Sequence, residues 1–271
     1  MFKDKYPLKV SSAIIAPIAQ KFYFGDSMDL PFPTLKGMYR LAEYCNIPKT
    51  SVRATISRMC KGCEIEAFSD EHGVIRYRMS KMMTLISEQA SHFGRSNGFT
   101  LAVFNFKKEN DKERYRVREI LSSFGFKKLA QNVYLNIRVD SKQIIKEFSK
   151  WDLQNNVYLF DCDNITDSSM IDRISKLWEL NHWNARLNEF YQDLKTYFDF
   201  DSISDEEIYH RYSYGYSAFF VYFYERLPAL PAYFFEQDNE DNGLKKVLSL
   251  METTLSQYAD KICSYYKVIN N

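Results

Sequence analysis

Apolar residues recur along this chain at two spacings, and the changes between them divide it into elements. Ser11–Phe24 is apolar-rich at helical spacing, with a local irregularity at Pro17. Pro31, Pro33 and Thr34 mark a loop and a helix start, with Thr34 placed to cap. Leu35, Met38, Tyr39, Leu41 and Ala42 follow at helical spacing until Asn46-Ile47-Pro48 interrupts. Val52, Ile56 and Met59, at steps of four and three, predict a second helix from Lys49 or Thr50. Beyond Gly62 and Cys63 the pattern changes. Ile65–Phe68 and Val74–Met79 flank the turn-rich Ser69–Gly73, which predicts a β-hairpin.

Phe99–Phe106 alternates and is rich in β-prone residues. Lys112–Phe124 carries Tyr115, Val117, Ile120, Leu121 and Phe124 as an amphipathic helix, and Gly125 is placed to end it. Lys127–Leu129 and Val133–Ile137 read as strands. Ile144, Ile145 and Phe148 line another helix, and Val157–Phe160 forms a last strand. The order β-α-β-β-α-β is that of a ferredoxin-like module. Four more helices are predicted over Ser169–Leu180, Trp183–Phe198, Asp205–Arg226 and Leu244–Tyr266, with Ser204 as a cap ahead of three acids. The expected fold class is α+β. A winged helix-turn-helix is expected over 1–92, a ferredoxin-like dimerisation domain over 99–163, and a helical domain with an effector-binding role over 164–271.

Composition narrows the function classes. With 271 residues and 45% hydrophobic side chains, the chain can bury a sizeable core. No stretch approaches the roughly 20 apolar residues that cross a bilayer, and the first residues lack the pattern of a secretory leader. Five cysteines without framework spacing suit a reducing compartment, so a cytoplasmic location is expected. The net charge of +1 is unevenly spread. Residues 1–98 carry 14 Lys and Arg against 9 Asp and Glu, residues 99–162 carry 12 against 8, and residues 163–271 carry 10 against 18. A basic front and an acidic back point to a polyanion meeting the front.

The predicted second helix sharpens this. Lys49, Arg53, Arg58 and Lys61 lie on it with no acidic residue, and Thr50, Ser51, Ala54 and Ser57 sit between them. Small and hydroxylic side chains let a helix backbone enter the major groove, where arginine bonds guanine and other cations hold phosphates. Arg76 and Arg78, two residues apart on the return strand, are expected to hold phosphate or enter the minor groove. The same residues also suit the solvated face of an ordinary helical subdomain. The ordered conjunction of turn, acid-free helix and basic hairpin favours double-stranded DNA as the partner.

Enzyme chemistry is not expected. His72, His92, His182 and His210 share no metal or triad spacing, and no nucleophile elbow or phosphate loop occurs. Cys60 and Cys63 form a lone CxxC where the helix should pack on the hairpin, so core packing is the better reading than zinc. Asp161-Cys162-Asp163 follows a predicted strand, where acids often end strands. No cofactor or metal is expected.

The middle segment resembles the small CRISPR-associated adaptation nucleases through its first strand, its Arg-rich helix and Phe124-Gly125-Phe126 with Leu129-Ala130-Gln131-Asn132-Val133-Tyr134-Leu135. In those nucleases an Asp at the end of the first strand holds a metal. The corresponding position here is Asn105, a poorer Mg²⁺ ligand than a carboxylate. Residues 50–59, this module and a tail with Trp183, Phe190, Tyr191 and Leu227–Pro231 together resemble the PaaX-type repressors of phenylacetate degradation. After that Leu-Pro pair the family has a proline- and tryptophan-containing segment, which is Phe234–Asp238 here. The resemblance implies a homodimeric transcriptional repressor released from its operator by an aryl-coenzyme A thioester. In the tail, Trp178, Trp183, Arg186 and Arg226 are the candidate effector residues, able to form an aromatic pocket and pair with coenzyme A phosphates. Core and surface ion-pair roles compete for the same four. A metal-dependent nuclease and a protein-interaction scaffold are the alternative functions.

Overall fold

The two side-chain spacings produce helices and two antiparallel sheets in the computed structural model, which describes residues 1–18, 30–80, 98–106, 110–137, 141–162, 168–224 and 242–271. The chain divides into two units. One holds Met1–Ser91, Asn184–Leu227 and Asp241–Asn271, and the other holds His92–Trp183 with Pro228–Glu240. The helices from residue 184 onward therefore cluster with the front of the chain, a grouping that the windows 1–92, 99–163 and 164–271 do not express.

In the first unit, α1 is Phe2–Lys5 and α2 covers residues 10–18. The rest of the expected Ser11–Phe24 helix lies outside the described residues. Thr34 accepts a hydrogen bond from the Gly37 amide at 3.3 Å and starts α3, Leu35–Tyr44. A tight turn follows, with Asn46 in the left-handed region at φ 57°, a conformation that Asn tolerates. Pro48, whose fixed φ suits a helix entrance, leads into α4, Lys49–Lys61. Ile14 and Ile18 of α2, Met38 and Ala42 of α3, and Val52, Ile56 and Met59 of α4 form one apolar core. Strands β1, Ile65–Ser69, and β2, Ile75–Met79, pair antiparallel from Ile65 opposite Met79 to Ser69 opposite Ile75. Ile65, Tyr77 and Met79 share the face turned to that core.

The second unit carries β3, Phe99–Phe104; α5, Asp111–Ser123; β4, Lys127–Ala130; β5, Val133–Ile137; α6, Ser141–Ser149; and β6, Val157–Cys162. The strands form one antiparallel sheet in the order β4-β5-β3-β6. Alternation along β3 buries both faces. Ala102 and Phe104 meet Val117, Ile120 and Leu121 of α5 with Ile144 and Phe148 of α6. Phe99 faces the other way, onto Ile174 of α7, Ser168–Leu177, and Trp178 just beyond it. Two expected core positions are instead exposed, Tyr115 at 62% and Ile145 at 48%. At about 100° per residue, Tyr115 lies nearly opposite the stripe of Val117, Ile120 and Leu121, and Ile145 lies to one side of that of Ile144 and Phe148.

Helix α8, Leu180–Tyr197, has its Asn184–Tyr197 portion in the first unit. There it joins α9, Asp205–Phe219, and α10, Gly243–Asn270. Ser204 caps α9 as its sequence predicts, accepting from the Glu207 amide at 3.2 Å. A π-helical turn, Phe220–Tyr224, continues α9. Aromatic packing ties these helices to the front of the chain. Phe2 stacks on Tyr197 with ring centroids 4.4 Å apart, and the Tyr214 hydroxyl donates to the Tyr6 carbonyl at 2.9 Å. At the far end of α10, the Asn270 side-chain oxygen accepts the Thr34 amide at 2.8 Å.

Candidate nucleic-acid interface

Helix α4 presents two unlike faces. Val52, Ile56 and Met59 are buried, while Lys49, Thr50, Arg53, Ala54, Ser57, Arg58 and Lys61 are exposed and Ser51 is half-buried. At about 100° per residue, Thr50, Ala54, Ser57 and Lys61 lie opposite the buried stripe, with Arg53 and Arg58 on its two flanks. The centre of the face is thus built mostly of short side chains, and guanidinium groups stand to either side. No carboxylate among the described residues pairs with Lys49, Arg53, Arg58 or Lys61.

Tyr39 also contributes to this face. Its spacing places it on the apolar stripe of α3, and its ring does pack on the core. Its hydroxyl, however, accepts from Arg53 Nε at 2.5 Å, and the Lys49 ammonium and Arg53 guanidinium both lie 5.9 Å from its ring centre. Electrostatic attraction to the ring face and the hydrogen bond together orient one flank of α4. A hydroxyl on an otherwise apolar stripe was the available signal.

The hairpin arginines part company. Arg78 is exposed, pairs with Glu66 at 3.1 Å and lies 4.9 Å from the Phe68 ring centre. An exposed pair of this kind contributes little and can be exchanged for a phosphate. Arg76 requires a correction. Only 8% exposed, it donates through Nη1 to the Phe32 carbonyl at 2.8 Å and the Asn270 carbonyl at 2.9 Å, and through Nε to Asp70. The bond from Arg76 holds the Asp70 carboxyl below the usual carboxylate range. That carboxylate also accepts the His72 and Val74 amides and shapes the turn between β1 and β2. Arg76 is a structural anchor of the hairpin, with its donors turned inward rather than to a phosphate.

The expected effector residues are divided between the two units, apart from one outside the described residues. Trp178 is buried in the sheet-bearing unit against Phe99, Leu129 and Leu135. Trp183 stands edge-on to His182 in the same unit. Arg186 belongs to the other unit, 5.5 Å from the Phe223 ring centre. Arg226 lies outside the described residues.

The lone CxxC is split as well: Cys60 packs at the edge of the core, whereas Cys63 is exposed and not in it. Among the described residues no group of three or more His, Cys, Asp and Glu is arranged to hold a metal ion. Asn105 is exposed at the end of β3, and Asp161 accepts from the Thr100 hydroxyl at 2.9 Å. Asp163 and His92 lie outside the described residues.

Comparison with known proteins yields a likeness of fold and no family. The chain is similar to a solved structure titled "Uncharacterized protein Rv0674 from Mycobacterium tuberculosis". The TM-score is 0.55 and the identity 14%, over 94% of this chain and 97% of that one. No family model and no curated protein matches. At this identity the likeness concerns the fold alone. No helix among the described residues is long and apolar enough to cross a membrane.

Proposed function

We propose that the chain is a sequence-specific DNA-binding transcriptional regulator, a repressor of the PaaX type acting as a homodimer. On this reading α2 to β2 form a winged helix-turn-helix, α4 is its recognition helix and Arg78 a wing contact. The β-α-β-β-α-β unit is a ferredoxin-like module. The observation that supports the reading is the exposed, acid-free face of α4, short-chained at its centre and flanked by Arg53 and Arg58. A groove about 12 Å wide admits such a helix, and bidentate arginine contacts to guanine discriminate by about 1–3 kcal/mol each. Lys49 and Lys61, one at each end of the helix, are suited to phosphates.

Gel shift with the DNA upstream of the chain's own gene, against scrambled competitor, tests this. A specific complex is expected, and Arg53→Ala with Arg58→Ala should abolish it while leaving the circular dichroism spectrum unchanged. Nanomolar operator binding retained by that double variant would sink the assignment. Addition of phenylacetyl-coenzyme A to the same reaction tests the effector that the family resemblance implies.

A further inference from the structure

A recess of about 280 Å³ lies between the start of the chain and the end of α9, wholly within the first unit. Its walls come from residues 7–16 and from residues 216–222. Ile15, Ala16 and Val221 supply apolar surface, and Phe220 adds an aromatic wall. Lys9, Ser11 and Ser12 bring an ammonium and two hydroxyls to the same recess, with no carboxylate in its lining. None of these three polar side chains bonds to a described residue. The recess thus combines apolar surface with an ammonium and hydroxyl groups.

The backbone beside it is unusual. Phe220–Tyr224 is a π-helical turn, a rare geometry that recurs at functional sites. Its Tyr222 hydroxyl donates to the Pro7 carbonyl at 2.8 Å, tying the two walls of the recess together. The other side of the recess reaches the DNA-facing elements. Ile15 lines the recess and also packs on the core that Ile14 and Ile18 share with Val52 and Ile56 of α4. A molecule seated against Ile15 therefore presses on the helix that underpins α4.

We propose that this recess binds a small aliphatic monocarboxylate, its carboxylate on Lys9 and the Ser11 and Ser12 hydroxyls and its chain against Ile15, Ala16 and Val221. We further assign it as the effector site of the regulator, a step that rests on the DNA-binding reading above. The volume suits a compact acid and lies near the lower end of ligand pockets. A whole coenzyme A thioester exceeds it.

Hexanoate is the probe, with hexanamide as its uncharged counterpart, and titration calorimetry on the full chain reads binding without DNA. Hexanoate should bind, and hexanamide should bind about tenfold more weakly or worse, because a charge-assisted contact is lost. Lys9→Met should lose a similar factor. Val221→Trp fills the recess and should abolish binding, with Lys9→Met the control should that variant fold poorly. Hexanoate should then change operator affinity in the wild type and not in Lys9→Met. Absence of hexanoate binding, equal binding of hexanamide, or unchanged binding in Lys9→Met would overturn the site. Binding that Lys9→Met weakens, without any change in operator affinity, would overturn its effector role. Failure of the Arg53 and Arg58 test removes the operator readout only and leaves the calorimetric result intact.

Discussion

Arg76 Nη1 donates at 2.9 Å to the main-chain carbonyl of Asn270, 194 residues further along the chain. Hairpin and last helix are therefore fastened through one guanidinium, which also holds Asp70 and the Phe32 carbonyl. Arg76→Met should destabilise the first unit by about 3 kcal/mol, because the Phe32 and Asn270 carbonyls lose a buried charged donor and Asp70 its partner. Urea unfolding followed by tryptophan-independent circular dichroism measures this. Asp70 titrates below its ordinary value, so its pairing contributes stability above the normal carboxylate range and loses it as pH falls through the depressed value. A variant that kept full stability and lost only DNA affinity would return Arg76 to a phosphate contact.

Gly37 faces the same Asn270. A methyl group there would meet Asn270 Oδ1 at 2.0 Å and Cγ at 2.7 Å. Asn270 is fully buried and its amide is held by Thr34 and Tyr266, so it cannot swing aside. Gly37→Ala should cost about 2 kcal/mol of stability. Combined with Asn270→Ala, the two losses should be less than additive, since the second substitution removes the clash. Additive losses in a double-mutant cycle would show that Asn270 is not what limits position 37.

Tyr39→Phe removes the acceptor that orients Arg53 and keeps the ring on the core. Operator affinity should fall by roughly threefold to tenfold, the range of one hydrogen bond, with little change in melting temperature. Fluorescence anisotropy with labelled operator reads the first and a thermal melt the second. Equal affinity would mean that Arg53 finds its base without help.

His210 is buried, stacks 4.7 Å from the Tyr44 ring and has no hydrogen-bond partner for Nε2 among the described residues. Burial pushes its pKa down to about 4, against the opposing pull of Glu206 and Glu207. The unfolded chain binds this proton more readily than the folded one, so stability is complete above about pH 6.5 and falls as pH drops towards 4. The loss is on the order of 3 kcal/mol. His210→Gln should flatten that part of the stability profile. An unchanged profile in the variant would assign the slope to other groups.

Local pattern carried much of this far. The stripe of Val52, Ile56 and Met59 predicted both the extent of α4 and its outward face, since a helix with one buried stripe has only one opposite side. Thr34, Ser204 and Gly125 marked helix ends through chemistry confined to a few residues. The place of Arg76 escapes local pattern for a matching reason. Alternation places it on the face with Arg78, and only residues Phe32 and Asn270, distant in the chain, decide that one is covered and the other open. Trp178 likewise became core because Phe99 and Leu135 lie over it. The recess at Lys9 had no sequence signature, because its two walls are some 200 residues apart.

The first unit is sewn from both ends of the described chain: Thr34 and Arg76 wait for Asn270, and Phe2 for Tyr197. During synthesis the ribosome releases α2 to β2 long before α10 exists. At about 5–20 residues per second, the gap between Arg76 and Asn270 corresponds to roughly 10–40 seconds. For that interval the hairpin anchor lacks its acceptor, while the sheet-bearing unit's described elements, β3 to α7, emerge as one run and can close on themselves. The support of α4 and the hairpin is therefore finished last, and a chain arrested before residue 243 would carry the complete α4 sequence on an incomplete support.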